Sequence, residues 1–169
     1  FNGKIGLPLP STEVKIVAED GQPVKSGETG EIMVKGPQVM AGYWHNDAET
    51  NLVLSDGWLR TGDLGMMSDD GYIEIVSRKK DMILVSGFNV YPNEIENVVM
   101  MMPEIAEVAA IGVPDKKSGE SVRLFVVKKE AVTPDQIIAY CKKNLTAYKV
   151  PKEVVFKDEL PKTNVGKCP

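Results

Sequence analysis

The chain has 169 residues, 43% hydrophobic and 26% charged, a composition typical of globular proteins and long enough for one domain or two small ones. No apolar run approaches the roughly 20 residues that cross a bilayer as a helix, and the opening Phe1-Asn2-Gly3-Lys4 has neither a signal peptide nor an initiator Met, as expected of the middle of a longer protein. The net charge of −4 is split: residues 1–77 carry 5 basic and 12 acidic side chains, residues 78–169 carry 15 and 12, a basic excess that suits phosphate-bearing small ligands and is too weak for nucleic acid.

Residues 1–76 read as β-rich. Val14, Ile16 and Ala18 alternate with charged residues, predicting a half-buried strand. Asp20-Gly21 is a turn, and Glu31 to Lys35 is a second strand bounded by Gly30 and Gly36-Pro37. Gly30-Glu31-Ile32, Gly36-Pro37 and Ala41-Gly42-Tyr43 read as structural scaffold. Asp47 to Leu54 predicts a short helical segment. Trp58-Leu59-Arg60 and Leu64 to Ser68 bracket Thr61-Gly62-Asp63, which reads as a turn at a strand end. Asp69-Asp70-Gly71 joins two strands, Leu64 to Ser68 and Tyr72 to Val76, as a hairpin.

The pattern changes at Arg78 to Asp81. Met82 to Val85 is a short apolar strand. Ser86-Gly87-Phe88-Asn89 reads as a tight loop between a strand and a helix opened by Pro92, with Ile95, Val98, Val99 and Met102 on one face. Val108 to Val113 and Val122 to Val127 are strands. Thr133-Pro134-Asp135-Gln136 is a capping box for a helix whose apolar stripe is Ile137, Ile138, Cys141 and Leu145. Val154 to Phe156 is the last strand. The fold class is α+β: a β-rich segment over 1–78, a junction at 79–81, and a small α+β domain over 82–169.

Each chemistry-bearing motif has an ordinary alternative. Asp63 could accept hydrogen bonds from a cis-diol, although an Asp capping a turn explains the spacing as well. Arg78-Lys79-Lys80 offers cations for phosphate or ribose oxygens, or is a solvated linker. Gly87 permits close backbone approach, or serves only the turn. Pro161 to Lys167 ends in a lysine that could reach an anion, or is a surface turn; it lacks the P-loop frame. Cys141 sits among apolar helix positions and is expected as a buried free thiol. With Cys168 it makes no disulfide framework and fits a reducing compartment. His45 is the sole histidine and reads as a loop residue, with no partner spacing for a metal site or a triad.

The order of these motifs is more specific than any one of them. Gly30-Glu31-Ile32 through Gly42-Tyr43, Trp58-Leu59-Arg60-Thr61-Gly62-Asp63, Ser77-Arg78 through Glu94-Ile95-Glu96, and Leu160 through Lys167 resemble the late signature motifs of adenylate-forming enzymes. The wording Lys79-Lys80-Asp81-Met82-Ile83 and Gly87-Phe88-Asn89-Val90-Tyr91-Pro92 is most similar to bacterial long-chain fatty acid–CoA ligases. The resemblance implies that the chain is the tail of a large adenylation domain plus a C-terminal lid. The full enzyme would use ATP, Mg2+ and CoA to make an acyl-adenylate from a fatty acid and pass the acyl group to the CoA thiol. Asp63 would hold the ribose hydroxyls and Arg78 would fix ribose and phosphate. Lys80 would be the hinge; Gly87, Phe88 and Asn89 would line the CoA approach; Lys167 would contact the carboxylate and α-phosphate. Mg2+ ligands are expected upstream, and the chain alone is expected to lack ligase activity. The ending Gly166-Lys167-Cys168-Pro169 departs from the family pattern of an apolar and then basic residues. The alternatives are a ligase for an aryl or medium-chain acid and a non-catalytic module binding AMP or CoA. The resemblance places the whole enzyme in the cytoplasm, with any membrane contact peripheral, at the inner face, and through regions outside this chain.

Overall fold

The computed structural model describes residues 4–161, and the chain divides into two compact units, residues 1–80 and 81–169. In the first unit the strands are β1 (Lys4–Gly6), β2 (Glu13–Val17) and β3 (Gly30–Lys35), then, after helix α1 (Asp47–Val53), β4 (Leu54–Ser55), β5 (Trp58–Met67) and β6 (Ile73–Arg78). They form one antiparallel sheet in the order β1-β6-β5-β3-β2, with β4 also paired to β5.

Ile16, Ile32 and Ile73 are buried at the centre of this sheet, against Val14, Val24, Val34 and Met67. The simple alternation expected for β2 does not hold. Val14 and Ala18 are only half-buried, and Val17 is fully buried beside Ile16. Val17 pairs with Glu31 on one side and bridges to Pro23 on the other, so both edges of that strand end are covered. Gly30 has no room for a side chain, because a Cβ there would run into the Val17 carbonyl. The hairpin at Asp69-Asp70-Gly71 forms as its sequence predicts: Gly71 has φ +81°, and the Ser68 hydroxyl donates to the Asp70 carboxylate. That hydrogen bond holds the Asp70 pKa below its ordinary value.

The second unit contains β7 (Ile83–Val85), β8 (Phe88–Val90), α2 (Pro92–Val99), β9 (Ile105–Asp115), β10 (Gly119–Lys128), α3 (Pro134–Asn144) and β11 (Glu153–Phe156). β9 and β10 are a long antiparallel hairpin; β11 runs parallel to β10, and β7 is antiparallel to it. Alternation along β10 places Val122, Leu124 and Val126 in the core, each at most 1% exposed. Onto that face pack Ile95 and Val99 of α2 and Ile137 and Cys141 of α3. The α3 start is the predicted capping box. Thr133 Oγ1 accepts from the Gln136 N–H at 3.3 Å, and Gln136 Oε1 accepts from the Thr133 N–H at 2.8 Å. Burial of Cys141 pushes its thiol pKa up to about 11, as an apolar site does to a group that must ionise.

Candidate functional site

Thr61-Gly62-Asp63 lies inside a strand. β5 runs unbroken from Trp58 to Met67, and its register against β3 slips between Glu31↔Leu64 and Met33↔Arg60. Three residues of β5 therefore face Ile32 alone, a bulge larger than the usual two-against-one kind, rather than the expected turn at a strand end. Gly62 at φ +71° makes the bulge possible. Thr61 closes it: its hydroxyl donates to the Ile32 carbonyl at 2.8 Å and accepts from the Asp63 N–H at 3.1 Å. The bulge re-aims the Asp63 side chain, and β6 supplies its partner. Arg78 is the direct cross-strand neighbour of Asp63, and its Nε donates to Asp63 Oδ1 at 2.7 Å. A carboxylate held by one oxygen can offer the other to a diol hydroxyl, while the guanidinium keeps donors for phosphate.

A buried carboxylate underlies this pair. The Glu31 side chain is 7% exposed, and its Oε2 accepts from Arg60 at 2.9 Å and from Lys79 at 3.0 Å. Sequence reading assigned Glu31 to scaffold, and no local signal marks it, because Lys79 is 48 residues away. A single-turn 3-10 helix, Lys79–Asp81, follows; Lys80 is exposed there.

In the second unit, Ser86-Gly87 is a hairpin turn and not a strand-to-helix loop. Val85 pairs with Phe88, Leu84 with Asn89 and Ile83 with Val90. Both central residues have positive φ, 51° at Ser86 and 83° at Gly87, the type I′ conformation that matches strand twist. The helix begins only after β8, at Pro92. A Cβ on Gly87 would meet nothing within 4 Å, so the turn is bare and open. Phe88, 55% exposed, stacks on Tyr148 with ring centroids 4.7 Å apart. Asn89 is exposed beside it. A cleft of about 390 Å3 adjoins the turn, lined by Ser86, Lys117, Ser118, Tyr148 and Lys152 among others. Lys152 is ion-paired with Asp115 at 2.9 Å, and with Ser118 it holds the Asp115 carboxyl well below the usual carboxylate range. Lys117, Tyr148 and Lys152 were not singled out from the sequence; tertiary folding alone brings them to the turn.

The structure therefore joins Asp63 to Arg78, and places Gly87, Phe88 and Asn89 together on one hairpin. Lys167 and Cys168 lie outside the described residues. Among the described residues no three His, Cys, Asp or Glu side chains cluster to hold a metal ion, and no helix is long and apolar enough to cross a membrane.

The AMP-binding enzyme C-terminal domain matches residues 94–167 and the AMP-binding enzyme domain matches residues 1–44, and the chain belongs to that family. It is 60% identical over 167 residues to the long-chain-fatty-acid–CoA ligase of Salmonella typhimurium, covering 98% of this chain and 30% of that protein. It is 46% identical over 167 residues to the indoleacetate–CoA ligase of Aromatoleum aromaticum, covering 98% of this chain and 33% of that protein. Among solved structures, o-succinylbenzoate CoA synthetase from Bacillus subtilis, in complex with its acyl-adenylate intermediate, superposes with a TM-score of 0.93 at 38% identity, covering 98% of this chain and 34% of that one. The chain spans about a third of the length of the relatives it matches.

Proposed function

We propose that this chain is the C-terminal part of an ATP-dependent acid–CoA ligase whose acid is a long-chain fatty acid. The observation that carries the reading is the bulge that presents Asp63 against Arg78. A carboxylate and a guanidinium meeting at 2.7 Å form a fixed fork for a ribose and its phosphate. The identity to long-chain-fatty-acid–CoA ligases, 60% for the Salmonella protein, supports the choice of acid.

In this reading the two half-reactions use different surfaces. During adenylation Asp63 accepts from the ribose hydroxyls and Arg78 steadies ribose and phosphate. Lys167 approaches the substrate carboxylate and the α-phosphate, where two anions meet and a cation stabilises the developing charge. Magnesium would accompany ATP, its ligands supplied by regions beyond this chain. For thioester formation the chain turns at Lys80, between the two units, and the Ser86-Gly87 turn faces the CoA path. The bare Gly87 lets a thin pantetheine-like chain pass close to backbone, Phe88 and Asn89 line that path, and Lys117 with Lys152 offers cations for phosphates. Neither half-reaction is complete in these 169 residues, so the isolated chain has no ligase activity.

The test is acid-dependent ATP–pyrophosphate exchange and acyl-CoA formation by the full-length protein, with palmitate, indoleacetate and benzoate as competing acids. Palmitate dependence, lost in Lys167→Ala, is the expected result. Exchange with an aryl acid and none with palmitate would replace the fatty acid reading with the second one, which the 46% identity to an indoleacetate–CoA ligase favours. Acyl-CoA formation by the isolated 169-residue chain would overturn its assignment as a part.

A further inference from the structure

We propose that Glu31 is a positioning residue that clamps the chain immediately before the pivot, so that rotation begins after Lys79. The inference rests on the two-state reading above. A carboxylate buried to the extent of Glu31 needs compensating charge, and it takes that charge from two points that bracket the site. Arg60 lies one residue before the bulge on β5, and Lys79 lies one residue after Arg78 on β6. A single oxygen, Oε2, accepts from both, at 2.9 Å and 3.0 Å. The strand carrying Asp63 and the strand carrying Arg78 are thus tied to β3 through one atom.

The consequence for the pivot follows from the next residue. Lys79 is anchored in the first unit, whereas Lys80 makes no ion pair among the described residues, and the division between units falls directly after it. A hinge works when a few residues absorb the φ/ψ change and the flanking backbone stays fixed. The Glu31–Lys79 contact supplies the fixed flank on one side. Without it the free segment lengthens, and the second unit reaches its two working positions less often. The Asp63–Arg78 fork is held by its own ion pair and ladder, so nucleotide affinity changes little.

The experiment uses the full-length protein with Lys79→Met, Lys79→Arg, Glu31→Gln and the double variant Glu31→Gln/Lys79→Met. Two readouts are followed: tryptic cleavage after Lys80, and steady-state acyl-CoA formation resolved into kcat and KM for ATP. Lys79→Met is expected to lower kcat by about tenfold with KM for ATP within about twofold, and to speed cleavage after Lys80 by a similar factor. Lys79→Arg restores both. The double variant is no worse than the worse single, because the two residues act through one contact. Lys79→Met lies at a half-exposed site and keeps the fold testable if Glu31→Gln does not. Wild-type kcat and wild-type cleavage in Lys79→Met would overturn the clamp, as would additive losses in the double variant. If the wild-type protein shows no ATP–pyrophosphate exchange with any acid, the ligase reading fails, and the cleavage arm still decides whether the clamp exists.

Discussion

Gly87→Ala separates a backbone cost from a packing cost. The residue has φ +83°, and an added Cβ meets no atom within 4 Å. The penalty is therefore conformational: about 1–2 kcal/mol for an L-residue in the left-handed region, offset by roughly 0.4–1 kcal/mol because alanine restricts the unfolded chain. The net is about 1 kcal/mol, which lowers the melting temperature of a 60–100-residue domain by about 4–8 °C. Gly87→Asn costs less, since Asn tolerates positive φ and is favoured in type I′ turns. Gly87→Val costs more, because a β-branched side chain is poorly accommodated there. Thermal melts of the three variants by circular dichroism should rank Asn above Ala above Val. A Val variant as stable as the Asn variant would refute the turn geometry, and so would an Ala loss beyond about 3 kcal/mol. The same series probes function in the full-length protein. Gly87→Asn keeps the turn and adds a side chain where a ligand would approach backbone, so acyl transfer to CoA should fall while ATP–pyrophosphate exchange persists.

Three further outcomes are expected. Leu124→Ala removes a fully buried side chain from the centre of the second unit and should destabilise it by about 2–5 kcal/mol in urea unfolding; a loss under 1 kcal/mol would contradict its core position. Glu96 has its pKa raised above 4.5, first by burial and further by nearby Asp81, against a hydrogen bond from the Ala110 N–H at 2.9 Å. The folded state therefore binds the proton more tightly than the unfolded one, and stability falls as pH rises from 4.5 through the folded pKa. Glu96→Gln should abolish that decline and be more stable than wild type at pH 7; equal pH profiles would exclude the effect. Cys141, fully buried with its thiol at about 11, should stay unmodified by iodoacetamide at pH 8 and label only in denaturant, as read by peptide mass spectrometry.

Helix α3 was legible in the sequence because its determinants are local: a capping box within four residues and a stripe repeating every three or four. Strand β10 was likewise legible as the apolar run Val122 to Val127. The candidate surfaces were half legible. Asp63, Arg78 and Gly87 stand in motifs that can be read off the chain, but their setting in two places differs from what the local sequence predicts. Gly62 and Gly87 both read as the end of a strand, since positive φ is the same local event in a turn, a bulge or a hairpin. Which of the three occurs depends on the partner strand. β3 runs alongside β5 past Gly62, so the chain bulges and continues. β8 folds back on β7 after Gly87, so Phe88 becomes a strand residue able to stack on Tyr148, 60 positions away.

By itself the sequence determined the class of elements, the charge division near residue 78 and the family, because periodicity, capping and motif order are written along the chain. Tertiary structure alone decided the register that aims Asp63 at Arg78, the cleft beside Gly87, and the burial of Glu31 between Arg60 and Lys79. Those depend on side chains meeting across strands, and a carboxylate is costly or useful according to which cations the fold brings to it.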